Sequence, residues 1–273
     1  MTFGQISAPV AAFVFVYVAA VVVLLIQGFW TTDSFTGKVV HTWNLDNYRA
    51  IADAPYPRII FRTIGMAAAV TVTCMVLAFP YAYFMVRVAG PRLRVVLLVA
   101  TVLPLWVSYL VRVYSWRLIL NPDGALNWAL NLVGLPDLNI AYTNWAMWIV
   151  FTYIWFPFMV LPVYAALERI PQSYLEASAD LGGRGPTTLR RVILPLAVPG
   201  LAAGSIFTFS LTLGDYIAPS LVGNTQFIGN VIYRNVLGLT NNIPFAAAYA
   251  MVPLAVMAIY LVAARRAGAF DAL

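Results

Sequence analysis

Long charge-free apolar stretches alternate with short polar ones along this chain. A hydrocarbon core about 30 Å thick is crossed by roughly 20 helical residues at about 1.5 Å each. On that length the pattern predicts six spans, at about 8–30, 63–86, 95–111, 142–167, 196–214 and 243–264. Helices are the expected form, because lipid offers no partner to a backbone N–H or C=O. The prolines inside the spans (Pro80, Pro104, Pro157, Pro162, Pro199 and Pro253) are tolerated there and expected to bend the helices. No charge occurs before Asp33, so the first stretch is read as a retained span and not a secretory signal. With no short repeat, low-complexity tract or linker, residues 1–273 read as one all-α transmembrane domain.

Composition supports this. Apolar residues make up 62% of the chain and charged residues 10%, against nearer half and a quarter in soluble domains. The net charge is +6 and the pI about 9.5, but the basic residues sit in short loops and form no clustered face for nucleic acid.

Their distribution sets orientation. Arg87, Arg92 and Arg94 follow the second span; Arg169, Arg184, Arg190 and Arg191 follow the fourth; Arg265 and Arg266 follow the sixth. With six spans all of these face one side. The opposite loops hold Lys38, Arg49, Arg58, Arg112, Arg117 and Arg234, offset by Asp33, Asp46, Asp53, Asp123, Asp137 and Asp215. The basic excess marks the cytoplasm, so both termini are expected there.

Catalytic signals are missing. The one lysine, Lys38, follows Gly37 but precedes Val39, so it forms no phosphate-binding loop. His41 is a lone loop histidine, and Cys74 lies within an apolar run, where a thiol packs. No metal ligand set or nucleophile–base pair stands out. Active transport by such a chain needs energy from a partner or an ion gradient.

Residues 170–200 (IPQSYLEASADLGGRGPTTLRRVILPLAVPG) are the most informative. Ser173 and Glu176 have capping-box spacing. The helix they would start, 174–181, should stop at Gly182–Gly183, where glycine takes left-handed geometry. Thr187 or Thr188 is expected to open a second helix carrying Arg190 and Arg191 into the membrane at Leu194–Pro195. Read by itself, this is an interfacial loop with two short helices.

The segment resembles the EAA loop of ATP-binding-cassette importer permeases. Glu176, Ala177, Ser178, Gly182, Val192, Leu194 and Pro195 match that pattern, with Ser178 and Val192 as small departures. The resemblance implies a type I importer permease fold and a coupling loop at about 170–195 that seats in an ATPase subunit. It also implies two ATPase subunits, a second and different permease, an extracytoplasmic substrate-binding protein and a place in the bacterial inner membrane. No cofactor belongs to this chain; ATP and Mg would be held by the ATPase.

Further stretches are similar to the spermidine/putrescine permease branch: Asn44 to Tyr48, Leu103 to Trp106, Arg112 to Tyr114, Leu213 to Tyr216, and Pro219 to Leu221. An acidic residue within a span is costly and usually faces a cavity. Asp215 is therefore the candidate carboxylate for a cationic amine, with Tyr216, Trp106, Tyr109, Tyr114 and Trp116 as candidate aromatic partners. Two other readings stand beside it. Asp215 caps a helix or pairs with Arg112 or Arg117, and the aromatics form an interfacial belt. A permease for an opine, amino acid or iron complex, or an ion-coupled secondary transporter, are the competing functions.

Overall fold

In the computed structural model, which describes residues 3–33, 36–238 and 241–266, the apolar stretches are helices. Helix α1 (Phe3–Gln27) leads to a hairpin in which β1 (Thr31–Thr32) pairs antiparallel with β2 (Val39–Val40). These strands are the one β element among the described residues. Next come α2 (Asp46–Ala50), α3 (Tyr56–Arg87), α4 (Pro91–Val102), a 3-10 turn (Leu103–Trp106), α5 (Tyr109–Ile119), α6 (Ala125–Leu132) and α7 (Asn144–Glu168). The chain continues through α8 (Gln172–Asp180), α9 (Gly185–Thr188), a π turn (Leu189–Ile193), α10 (Leu194–Gly214), α11 (Ile217–Val222), α12 (Ile228–Leu237) and α13 (Ile243–Arg266).

Among the described residues five helical stretches are long and apolar enough to cross a membrane, and a bent pair brings the number to six if it is counted as one span. That pair corrects the expectation of one helix over 95–111. The chain turns by 98° between Pro91–Trp106 and Tyr109–Ile119. Pro104 removes a backbone donor in the 3-10 turn, and Val107 and Ser108 are extended, with ψ of 137° and 138°. Hydropathy has no direction, so a break between two apolar segments is invisible to it. The other prolines stay within their helices.

Helices α3, α7 and α10 form the centre. Val70, Cys74, Ala78, Ala82 and Met85 of α3 meet Met147, Phe151, Ile154, Met159 and Leu167 of α7 in one buried cluster. The α7–α10 contact is tighter still. A methyl group added at Gly200 would lie 2.7 Å from the Pro162 carbonyl oxygen, and one at Gly204 would lie 3.1 Å from Met159 Cα. Two glycines four apart thus let the backbones touch, the means by which helices associate where lipid supplies no hydrophobic drive. Buried hydroxyls on these helices donate back to their own carbonyls, Thr71 to Ala67 at 2.7 Å and Thr212 to Thr208 at 2.7 Å.

A second cluster joins Ile59 and Ala67 of α3 to Phe209, Leu213, Ile228, Phe245 and Tyr249. Helix α1 packs on α13 at the margin, and its window Val10–Gln27 is unburied. The stretch Asn44 to Tyr48 closes α1. Asn47 donates to the carbonyls of Gly28 (3.0 Å) and Trp30 (2.7 Å), and the Tyr48 hydroxyl donates to that of Leu25 (3.2 Å). Carbonyls left over at a helix end are thereby satisfied.

Candidate functional site

Two places gather the residues singled out by sequence, and α10 links them. The first is the bracket formed by α8, the glycine turn and α9. Helix α8 does not start with a capping box. Its N-cap is Pro171, in extended geometry (φ −63°, ψ 147°), with no side-chain cap hydrogen bond. Proline leaves helical geometry at once and the helix begins directly after it, so Ser173 is already inside the first turn. The start of the second helix also moves. Arg184 is its N-cap, and Pro186, pre-set for a first turn, opens it ahead of Thr187 and Thr188.

The stop signal sits where the glycines place it. Gly182 has φ +77°. Its N–H donates to the Ala179 carbonyl (2.9 Å) and the Gly183 N–H to the Ser178 carbonyl (2.7 Å). Those two bonds are a Schellman motif, which satisfies the last carbonyls of α8. The Ser178 and Thr188 hydroxyls then share a hydrogen bond of 2.9 Å that ties α8 to α9. From Gly185 the helix runs unbroken through the π turn to Gly214, 30 residues in all. The second short helix of this loop and the fifth span are therefore one element.

Between the two arms lies a recess of about 420 Å³, lined by Tyr174, Ala177, Ser178, Leu181, Gly183, Thr187, Arg191 and Val192. Of the coupling candidates, Ala177, Ser178 and Val192 line it and Gly182 makes the turn. Glu176, Leu194 and Pro195 are exposed around it. Leu181, 90% exposed at the tip, was not foreseen; its signal is a large apolar residue directly before a glycine stop.

The second place is a recess of about 340 Å³ where α10 gives way to α11, lined by Tyr109, Trp155, Ser210, Leu211, Gly214, Asp215, Tyr216 and Ile217. Asp215 Oδ1 accepts from the N–H groups of Ile217 (2.7 Å) and Ala218 (3.1 Å), so the carboxylate caps α11. Its Oδ2 accepts from the Tyr109 hydroxyl. Tyr109 stacks on Trp155 (centroids 5.7 Å apart, planes at 15°) and carries the Arg112 guanidinium 5.8 Å from its centroid. Asp215 forms no ion pair with Arg112 or Arg117, so the capping alternative holds for it and the arginine pairing does not.

The aromatic candidates separate. Tyr109 and Tyr216 line the recess, and Tyr216 also stacks on Tyr233 (4.5 Å, 13°). Trp116 packs edge-on against Tyr153, Tyr114 is half-exposed and Trp106 is 86% exposed; none of these three lines the recess. Trp155 and Ser210 do line it. Ser210, a polar residue in an apolar span, was the available signal. Among the described residues no group of three or more His, Cys, Asp or Glu side chains could hold a metal. A carboxylate on an aromatic floor suits a cation, though three donors already occupy this one.

A bundle of membrane-crossing helices carrying a projecting bracket continuous with one span is the build of a transport permease. The chain belongs to the family of binding-protein-dependent transport system inner membrane components, whose model matches residues 78–272. It is a multi-pass inner-membrane permease subunit of the ATP-binding-cassette importer class.

The chain is 47% identical to the inner membrane ABC transporter permease protein YdcU of Escherichia coli K12, over 97% of this chain and 89% of that one. It is 34% identical to the spermidine/putrescine transport system permease protein PotB of the same strain, over 86% of each. Among solved structures, a bacterial ABC transporter that imports the acidic polysaccharide alginate aligns with TM-score 0.74 at 17% identity, over 96% of this chain and 94% of that one. The methionine transporter MetNI in inward-facing form aligns at 0.59 and 19% identity, over 77% and 92%. At these identities the structural likeness speaks for the fold.

Proposed function

We propose that this permease imports a polyamine of the spermidine/putrescine kind and is driven through the α8–α9 bracket by a separate ATPase. The observation that carries the drive is the build of the bracket. A Schellman-capped helix is tied to the end of a 30-residue helix that becomes a span, so force applied at α8 reaches the membrane without passing through a flexible loop. Glu176, Ala177, Ser178, Gly182, Val192, Leu194 and Pro195 form the coupling surface. Two ATPase subunits holding ATP and Mg, a second and different permease and an extracytoplasmic binding protein complete the assembly. Both termini lie in the cytoplasm, a reading supported by the basic residues that follow the even-numbered spans.

The polyamine cargo is supported by the spermidine/putrescine permease relatives and by the carboxylate and stacked rings at the α10–α11 recess. Uptake by the complete complex in proteoliposomes tests both parts. Labelled spermidine should enter only with ATP inside and be competed by putrescine and not by an amino acid. Saturation by the amino acid alone, or uptake that follows an ion gradient without ATP, overturns the proposal.

A further inference from the structure

Arg87 and Arg94 contribute to the basic excess that sets orientation, yet both turn inward and bond to helix ends. Helix α3 stops at Arg87, leaving the carbonyls of Met85 and Val86 at its end. Arg94, from the first turn of α4, reaches back to them, with Nε donating to Met85 O (3.0 Å) and Nη2 to Val86 O (2.8 Å). Its Nη1 faces Glu168 Oε1 at 3.9 Å, and the Tyr164 hydroxyl donates to the same oxygen (2.9 Å). Arg94 thus ties the end of α3 to the last residue of α7.

Arg87 completes the knot from the other direction. Its Nη2 donates to the carbonyls of Leu167 (3.3 Å) and Ile170 (2.8 Å), which close α7 and the link to α8. Its Nη1 lies 3.5 Å from Gln172 Oε1 in the first turn of α8. A planar guanidinium suits this task, because its fixed fork of donors holds several acceptors in one geometry, which an ammonium does not. The Arg87 side chain is partly buried, and its Nε is enclosed by protein.

We propose that Arg87 is a positioning residue that makes α3 move with α8, giving the coupling helix a second connection into the membrane core beside its covalent link to α10. This rests on the reading of α8 as the ATPase-contacting helix. Through Arg87 and Arg94, the ends of α3, α4 and α7 and the start of α8 form one plate. A displacement of α8 therefore reaches both α3 and α10, the two helices that flank α7 in the core.

Spin-label distances in the complete transporter test this without knowledge of the cargo. In a Cys74→Ala background, one label pair sits at Arg92 and Asp180, another at Asp180 and Arg265; all three sites are exposed. Each pair is measured nucleotide-free and trapped with ATP and vanadate. In the otherwise unmodified chain the Arg92–Asp180 distance should hold on trapping while the Asp180–Arg265 distance changes. In Arg87→Gln the Arg92–Asp180 distance should shift by about 2 Å or more, the upper end of helix shifts in switching proteins. Gln172→Ala should give the same direction at smaller amplitude, and Arg87→Lys should restore the distance only in part. If Arg87→Gln assembles poorly, those two variants decide the matter.

A merely structural role would lower assembly yield and leave the Arg92–Asp180 distance of the assembled fraction fixed, which overturns the proposal. So does a distance that already changes in the unmodified chain. If trapping moves neither pair in the unmodified chain, the coupling role of α8 itself fails, an outcome distinct from either.

Discussion

Replacing Gly183 with alanine adds one methyl group in a place that has no room for it. Its Cβ would sit 2.6 Å from the Ser178 carbonyl oxygen and 2.5 Å from Ser178 Oγ. That carbonyl is the acceptor of the Gly183 N–H, so the methyl and the hydrogen bond cannot both keep their places. The Schellman pair goes together, since both bonds need the same turn. Two hydrogen bonds at about 0.5–1.5 kcal/mol net each sum to about 1–3 kcal/mol, a roughly 5- to 150-fold shift toward a frayed α8 end. The loss is local: the α3–α7–α10 core is untouched and Ser178 has no contact in it, so expression and assembly should stay near normal.

Gly182→Ala is the informative comparison. No atom lies within 4 Å of its added Cβ, and the penalty is the left-handed backbone alone (φ +77°), about 1–2 kcal/mol. Uptake per ATP hydrolysed, measured in proteoliposomes, should therefore fall in both variants, more in Gly183→Ala and by at least about fivefold on the lower bound above. Basal ATP hydrolysis should persist in both. Gly182→Trp carries the same backbone penalty and adds an indole beside exposed Leu181, so its uptake should fall below that of Gly182→Ala. Unchanged uptake per ATP in Gly183→Ala would refute the claim that a stiff, turn-capped α8 transmits the stroke.

Ser178→Ala removes the 2.9 Å link to Thr188; it should weaken coupling in the same direction by about 1 kcal/mol or less, read by the same ratio. Gly204→Leu drives a side chain into Met159 and should lower the thermal midpoint and yield in detergent, since overpacking a close helix pair costs about 1–3 kcal/mol or more. Asp215→Asn keeps an oxygen for the Ile217 and Ala218 N–H groups, so assembly should survive while polyamine uptake falls at least about tenfold, the scale of one lost charge-assisted hydrogen bond; unchanged uptake removes Asp215 from the pathway. Asp215→Ala also loses the cap and should destabilise the protein by about 0.5–2 kcal/mol, read as a lower midpoint than Asp215→Asn.

The spans were legible because lipid asks one question of a sequence, whether an apolar run is long enough. The glycine stop of α8 was legible because only glycine takes its backbone angle without strain. At the start of α8 two sequence signals compete, and the proline prevails. Ser173 and Glu176 have capping spacing, but Pro171 had already set the chain on its exit from the turn. The bend at Val107–Ser108 had its signal in Pro104, but hydropathy gives neither its place nor its size of 98°. Tyr109 and Asp215 were named separately for their chemistry; their hydrogen bond spans 106 positions in sequence and depends on how α5 folds back after the bend. Arg87 and Arg94 show the limit most plainly. Charge counting assigns a side of the membrane and is silent about which carbonyls a guanidinium will find.

The unbroken helix from Gly185 to Gly214 has a mechanical meaning in its proportions. Its close seat against α7 runs from Gly200, 15 residues from one end, to Gly204, 10 residues from the other. At about 1.5 Å per residue the two arms are about 22 Å and 15 Å. A rod seated part-way along its length is a lever, and its glycine contact is the fulcrum. A tilt of about 10° displaces the two ends by about 4 Å and 3 Å, in opposite directions. One end carries the bracket and the other carries the Asp215 recess. Under the proposed drive, a displacement of the bracket would appear with opposite sign at the recess, carried by the helix itself.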